Sequence, residues 1–337
     1  VVMKIVKGLQ FVLAFVALLG FLLQNIWILL AVLFFMGLLS TIFSTAKYSA
    51  VPELLEHDNL IAGNSLIQCG MYVSMLLGII CGALVYLVNV KWLYIIFFAV
   101  SLIGFVSSLF IPQLKSASQS FQISFNFIKA AWKNMSYFKH SRDIYLCIIG
   151  ISWFWFMGVV LISQIPNSSY ILLQGQQSIY IFLITLFAAG VVTGSLLSYF
   201  LLGKDVSIRH IPISIVLMTI FIIDLSVAAN KISLTSTNMI MSGFVSTFAG
   251  KRIIFDLFAF SVFAGLYIVP LVTMLQVLAS RKIRARVMAT NNVVNILAML
   301  LATLICSAFL EAKLTLPAIL TFIALFNVAV CLYVCYV

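Results

Sequence analysis

Ten long apolar stretches, separated by short polar gaps, occupy almost all of this 337-residue chain. Only 8% of its residues are charged, whereas a soluble globular domain carries about 25%. About 20 consecutive apolar residues can cross a bilayer as an α-helix, because the helix satisfies every backbone polar group internally. The sequence therefore predicts an all-α polytopic membrane protein and excludes a water-soluble one.

The pattern predicts ten transmembrane helices, four before and six after a long basic gap. Their expected ranges are residues 5–23, 26–44, 66–88, 93–111, 144–163, 179–202, 211–229, 253–278, 291–310 and 316–337. The chain accordingly divides into residues 1–112, a linker at 113–143 and residues 144–337. Aromatic and polar side chains alternate at 121–132, which suits either an amphipathic surface helix or a plain tether.

Basic residues are distributed unequally between the two sides of the predicted membrane. With the N-terminus in the cytoplasm, 14 of the 19 lysines and arginines lie in cytoplasmic gaps and five lie outside, as the positive-inside rule expects. The formal net charge of +11 thus reflects topology and contact with anionic lipid headgroups rather than with nucleic acid. The outer gap at 231–252 is an exception, and we expect its apolar portion, 239–249, to lie in the membrane interface.

No group of residues suggests catalysis or a cofactor. The six cysteines lie in or beside apolar stretches without metal-ligand spacing, and the three histidines are far apart in sequence. Motifs for phosphate loops, nucleophilic serines and zinc sites do not occur in the sequence. We therefore expect no enzyme, no cofactor and no metal, which leaves a transporter, a channel or a membrane anchor.

Two aspartates fall within the apolar stretches. Asp224 lies near the middle of the span 211–229, where a carboxylate is costly unless it pairs, is protonated or faces a polar interior. It is either an ion-coupling residue or a residue nearer the interface than the pattern suggests. Asp256 lies beside Lys251 and Arg252, and we expect an interfacial ion pair there.

Small and amide side chains mark places where helices can meet. Asn291, Asn292 and Asn295 cluster at the start of one span, and they suit either hydrogen bonds between helices or contact with a ligand. The pairs Gly78–Gly82 and Gly190–Gly194 have the four-residue spacing that allows helices to approach closely.

Three blocks of sequence contain recognisable motifs. The blocks contain Ala46-Lys47-Tyr48, Pro52-Glu53-Leu54-Leu55 and Gly63-Asn64-Ser65-Leu66; then Gly150-Ile151-Ser152-Trp153-Phe154-Trp155-Phe156 and Gln164-Ile165-Pro166-Asn167; then Gly265-Leu266-Tyr267-Ile268-Val269-Pro270-Leu271, Gln276 and Arg286-Val287-Met288-Ala289-Thr290-Asn291-Asn292. In their residues, their order and their approximate spacing, these blocks resemble the lysophospholipid transporter family of the major facilitator superfamily.

The resemblance implies a major facilitator-type bundle of two six-helix halves, of which this chain corresponds to helices three to twelve (4+6). The first-helix Asp-Asn pair of the family has no counterpart here, and Gln68 stands where related sequences commonly have a glutamate. The implied function is alternating-access transport of lysophospholipid, such as lysophosphatidylethanolamine, across the bacterial inner membrane, with the positive loops cytoplasmic. A separate acyltransferase is the implied partner, besides membrane lipids. The alternatives are a facilitator for drugs or another amphiphile, and a truncated, transport-inactive membrane scaffold.

The polar residues of these blocks and spans are the candidate site residues. For substrate binding they are Lys47, Asn64, Gln68, Trp153, Gln164, Asn167, Tyr267, Gln276, Asn291, Asn292 and Asn295. Asp224 is the candidate for ion coupling. Lys47 is suited to attract a phosphate, although a cytoplasmic lysine also fits the topological bias. Because Trp153 and Trp155 are two residues apart on a helix, we expect one to line the cavity and the other to pack or face lipid.

Overall fold

The fold is helical throughout the residues that the computed structural model describes, which are 1–87, 90–112, 141–173, 177–203, 210–235 and 241–336. Besides a short 3-10 turn at His57–Asn59, the elements are α1 (Val2–Leu22), α2 (Ile26–Leu54), α3 (Leu60–Leu87), α4 (Val90–Leu109), α5 (Arg142–Leu173), α6 (Gln177–Leu202), α7 (Ile211–Thr235), α8 (Met241–Ser246), α9 (Phe248–Leu278), α10 (Arg284–Glu311) and α11 (Leu316–Tyr336). The predicted all-α membrane fold is confirmed.

A helix occupies each of the ten predicted spans. Within the described residues, eight helices are long and apolar enough to cross a membrane, and the segments Ile95–Leu109 and Leu316–Cys331 are shorter apolar helices. The count of ten transmembrane helices therefore stays a prediction. Most of the predicted linker, together with its possible surface helix, lies outside the described residues. Helix α8 falls in the apolar outer gap where we expect an interfacial segment.

A tight turn joins α1 to α2, as the two polar residues between them predict. Gln24 adopts a left-handed backbone conformation with φ of 49°, which reverses the chain. The side-chain oxygen of Asn25 then accepts hydrogen bonds from the backbone N–H groups of Trp27 (3.0 Å) and Ile28 (3.3 Å). This capping satisfies two of the free donors at the start of α2.

Glycines allow α6 and α9 to pack backbone against backbone. A methyl group at Gly194 would overlap the carbonyl group of Val262, and one at Gly265 would lie 2.5 Å from the carbonyl oxygen of Val191. The close approach predicted at Gly190–Gly194 is thus present. By contrast, no described atom lies within 4 Å of a methyl group built at Gly78 or Gly82. The similar pair on α3 therefore forms no such contact with the described residues.

Helix α9 lies at the centre of the bundle. It packs against α6 and α7 along most of its length and also contacts α2, α3 and α5. Helix α10 packs against α5 and α2, and α3 packs against α6. The helices before the predicted linker therefore meet those after it along two seams, α2 with α10 and α3 with α6 and α9. The candidate site lies between these seams.

Candidate functional site

A cavity of about 400 Å³ lies between α2, α3, α5, α9 and α10. This volume falls in the range of about 300–1,000 Å³ that is typical of small-molecule sites. Its lining consists of Ser40, Thr41, Ser44, Lys47, Tyr48, Gln68, Met71, Ile151, Trp155, Ile268, Val272, Leu275, Met288, Asn291, Asn292, Asn295, Ile296 and Met299. The residues from α5 and α9 are apolar, whereas most of the polar ones come from α2 and α10. The cavity is therefore amphipathic.

The three asparagines of α10 lie on the cavity but differ in their bonding. The amide of Asn292 donates to the hydroxyl of Thr45 (2.9 Å), and the amide oxygen of Asn295 accepts from the hydroxyl of Ser152 (2.8 Å). These two amides join α10 to α2 and α5. Asn291 is also buried, but its side-chain oxygen has no hydrogen-bond partner among the described residues. It is the asparagine whose geometry suits contact with a ligand.

Lys47 places an ammonium group at the cavity. Its Nζ atom lies 4.4 Å from the ring centroid of Tyr48, and the nearby Lys7 lies 4.5 Å from the ring of Phe43. Neither lysine has a carboxylate partner among the described residues. A cation beside an apolar wall, without an anion of its own, attracts an anionic group from a ligand.

A layer of hydrogen-bonded polar side chains continues from Tyr48 and Gln68 of the cavity lining. The Asn64 amide donates to Gln276 Oε1 (2.7 Å) and to Thr273 Oγ1 (3.0 Å), and all three side chains are buried. Gln276 Nε2 donates to the backbone carbonyl of Tyr48 (3.1 Å), whose hydroxyl in turn donates to Gln68 Oε1 (3.2 Å). These bonds tie α2 and α3 to α9.

Ion pairs extend this layer towards the outer surface of the bundle. Glu53, near the end of α2, pairs with Arg281 (2.9 Å) and with Arg284 (3.0 Å). Arg284 also donates to the backbone carbonyls of Gln276 (3.3 Å) and Ala279 (3.2 Å), at the end of α9. We refer to the polar layer and these ion pairs together as the barrier, which consists of Tyr48, Glu53, Asn64, Gln68, Thr273, Gln276, Arg281 and Arg284.

Two aromatic candidates pack between helices instead of lining the cavity. Trp153 donates its indole N–H to the side-chain oxygen of Asn327 (2.7 Å). Tyr267 is fully buried, and its hydroxyl donates to the carbonyl oxygen of Gly150 (2.9 Å). Trp155, rather than Trp153, lines the cavity. The sequence analysis did not single out Asn327. An amide inside an apolar stretch commonly forms a hydrogen bond to another helix, so this residue could have been found from the sequence.

Two of the remaining candidates, Gln164 and Asp224, lie away from the cavity lining. Gln164 is buried and donates to the hydroxyl of Ser163 (3.4 Å). Asn167 lies in α5, but its side chain is outside the described residues. Asp224, on α7, is paired with Arg252 and is not part of the cavity. The interfacial ion pair expected for Asp256 is not found among the described residues, in which Arg252 donates to both side-chain oxygens of Asp224.

A membrane bundle with a cavity between its two sets of helices, which are joined by hydrogen bonds and ion pairs beside it, has the architecture of a secondary transporter. Residues 6–251 match the family model of the Major Facilitator Superfamily. The chain belongs to this superfamily, whose members are transporters and not enzymes.

One solved structure illustrates the similarity of the fold. The chain is similar to a variant of the Escherichia coli fucose:proton symporter FucP, with a TM-score of 0.68 and 12% sequence identity, over 99% of this chain and 83% of that chain. At this identity the likeness shows the fold alone. Comparison with curated proteins gave no match.

Proposed function

We propose that this transporter moves a lysophospholipid, such as lysophosphatidylethanolamine, across the bacterial inner membrane by alternating access. The observation that carries the proposal is the Lys47 ammonium. It lies at an amphipathic cavity and has no carboxylate partner among the described residues. An amphiphile with a phosphate in its headgroup would supply the missing anion.

The other features of the cavity fit the remaining parts of such a lipid. The unpartnered Asn291 oxygen can accept from the ammonium of an ethanolamine or from a glycerol hydroxyl. Trp155 and Val272 supply apolar surface for the first carbons of the acyl chain. Ile296, at the rim, is 42% exposed, so that a longer chain has an apolar way out of the cavity on the lipid-facing side of α10.

The barrier supplies one of the two closures that alternating access requires. It contains the end of α2 and the turn between α9 and α10, which the distribution of basic residues assigns to the cytoplasmic side. Breaking the barrier would open the cavity to the cytoplasm by rocking residues 1–112 against residues 144–337. The lipid delivered there would be a substrate for a separate acyltransferase.

The charge of the site favours this proposal over its rivals. A facilitator for cationic drugs would place a carboxylate at the cavity, whereas this cavity presents Lys47, with Lys7 close by. A scaffold without transport activity would have no use for an ammonium and an amide oxygen in the same cavity that both lack a partner among the described residues. The geometry therefore favours an anionic or zwitterionic amphiphile.

Binding of lysophosphatidylethanolamine to the purified protein tests the proposal. A charge-assisted hydrogen bond contributes about 1.5–3 kcal/mol, so the change Lys47→Gln should weaken binding by about 10- to 100-fold. The exposed Lys282 is the matched control, and Lys282→Gln should bind as the unmodified protein does. Equal affinity in both variants, or tighter binding of a cationic amphiphile, would contradict the proposal.

A further inference from the structure

Two carboxyl groups and one guanidinium meet between α7 and α9, away from the substrate cavity. Asp224 lies on α7, and Arg252 and Asp256 lie one turn apart on α9. Arg252 donates to both oxygens of Asp224, through Nε to Oδ2 (3.1 Å) and through a terminal nitrogen to Oδ1. None of the three residues lines the substrate cavity, and nothing in the proposed lipid contacts requires them.

Asp256 is the unusual member of this group. It is only 2% exposed, and its Oδ2 atom has no hydrogen-bond partner among the described residues. An ionised carboxylate that is buried without a partner is very costly, whereas a protonated carboxyl group is neutral and can donate a hydrogen bond.

The neighbouring carboxylate offers an acceptor for such a proton. Asp224 and Asp256 line the same cavity between α7 and α9, so that a proton on one carboxyl group can be donated to an oxygen of the other. Two ionised carboxylates cannot bond in this way, because neither carries a donor.

The described surroundings of this group supply access but no further anion. A cavity of about 330 Å³ reaches the group, and its apolar lining includes Phe221 and Phe255. The side chain of Asp224 is 40% exposed and so connects the buried Asp256 to the surface. The charged groups around the two carboxyl groups are Lys231 on α7, which lies near Asp224, and Lys251 and Arg252 on α9. Helices α6 and α8, which also pack against α9, have no charged residue within their described ranges.

We propose that Asp256, together with Asp224 and Arg252, forms a proton-binding site separate from the substrate cavity. Asp256 accepts the proton and donates it in a hydrogen bond to Asp224, which Arg252 keeps in place. A sodium ion fits this group poorly, because the guanidinium already occupies the oxygens of Asp224 and repels a second cation. The described residues also contain no cluster of three or more side chains suited to a metal ion.

Helix α9 connects this site to the barrier. Asp256 lies in its first third, and Gln276, which bonds to Asn64 in the barrier, lies 20 residues further along the same helix. At 1.5 Å per residue this is about 30 Å. Neutralising the charge near one end of α9 is thus suited to bias the movement of its other end. This coupling, unlike proton binding itself, rests on the proposed transport function.

Infrared titration of the reconstituted protein, without any substrate, tests proton binding directly. We expect a protonated-carboxyl band that disappears as the pH rises, and loss of this band in Asp256→Asn. The exposed Asp143 is the matched control, and Asp143→Asn should keep the band. A second variant, Asp224→Asn, leaves Arg252 free to pair with Asp256 and should weaken the band at a given pH. A band that is unchanged in Asp256→Asn, or one that sodium alters at constant pH, overturns the proposal.

Lysophosphatidylethanolamine uptake into proteoliposomes with and without a pH gradient tests the coupling. The gradient should accelerate uptake by the unmodified protein and by Asp143→Asn, but not by Asp256→Asn. If uptake does not depend on the pH gradient while the carboxyl band still titrates, the proposed coupling is wrong but proton binding at Asp256 is not affected. A titrating band in a protein that takes up no lysophospholipid would instead contradict the proposed function and leave the proton site standing.

Discussion

The ion pairs of the barrier predict how strongly one carboxylate holds the cavity closed. Glu53 is 20% exposed and pairs with Arg284, which is 13% exposed, and with Arg281, which is 53% exposed. The partly buried pair with Arg284 contributes about 1.5 kcal/mol, as charge-assisted hydrogen bonds do. The more exposed pair with Arg281 is screened by water and contributes about 0.5 kcal/mol.

The change Glu53→Gln should therefore reduce the stability of the closed state by about 2 kcal/mol, which is the sum of the two ion pairs. Because every 1.4 kcal/mol changes an equilibrium constant tenfold, the ratio of open to closed molecules should rise by about 30-fold. Spin labels at His57 and Lys282, two exposed residues of which one belongs to residues 1–112 and the other to residues 144–337, would report this change by double electron–electron resonance. We expect a second, longer distance to grow at the expense of the shorter one.

The neighbouring Glu56 provides the control for this experiment. It is exposed, and no ion pair of Glu56 is found among the described residues. Glu56→Gln should thus leave the distance distribution unchanged. An unchanged distribution in Glu53→Gln, or an equal shift in both variants, would refute the role of these ion pairs in closing the cavity.

Three further substitutions test the packing and the cavity. Gly194→Ala should lower the melting temperature in detergent markedly, since overpacking costs about 1–3 kcal/mol or more, whereas Gly78→Ala, which meets open space, should not. Tyr267→Phe removes the bond to Gly150 and should cost about 1 kcal/mol of stability; an unchanged melting temperature would contradict this. Asn291→Ala should weaken lysophosphatidylethanolamine binding without lowering the melting temperature. A lower melting temperature with unchanged binding would show that Asn291 stabilises the packing of the helices and does not bind the ligand.

The helices could be predicted from the sequence because an apolar stretch of sufficient length has few other stable forms in a membrane. Their ends were harder to place. Helix α2 extends to Leu54, ten residues beyond the predicted end of its span, and α5 extends to Leu173. Polar residues such as Lys47 and Glu53 interrupt the apolar pattern, but they do not interrupt the hydrogen bonding of the helix.

Partners distant in the sequence could not be predicted from it. Asn64 and Gln276 are both amides in recognisable motifs, yet nothing in their local sequence shows that they bond to each other across 212 positions. Trp153 and Trp155 are alike in sequence, and only the rotation of α5 decides that Trp155 reaches the cavity. Arg252 had two possible acidic partners, and the packing of α7 against α9 gives it Asp224.

Uptake of labelled lysophosphatidylethanolamine into proteoliposomes is the most direct measurement of the central claim. The protein should take up this lipid faster than empty vesicles do, and Lys47→Gln should abolish most of the difference while Lys282→Gln keeps it. Uptake no faster than in empty vesicles, or an equal rate in all three proteins, would contradict lysophospholipid transport through the cavity at Lys47.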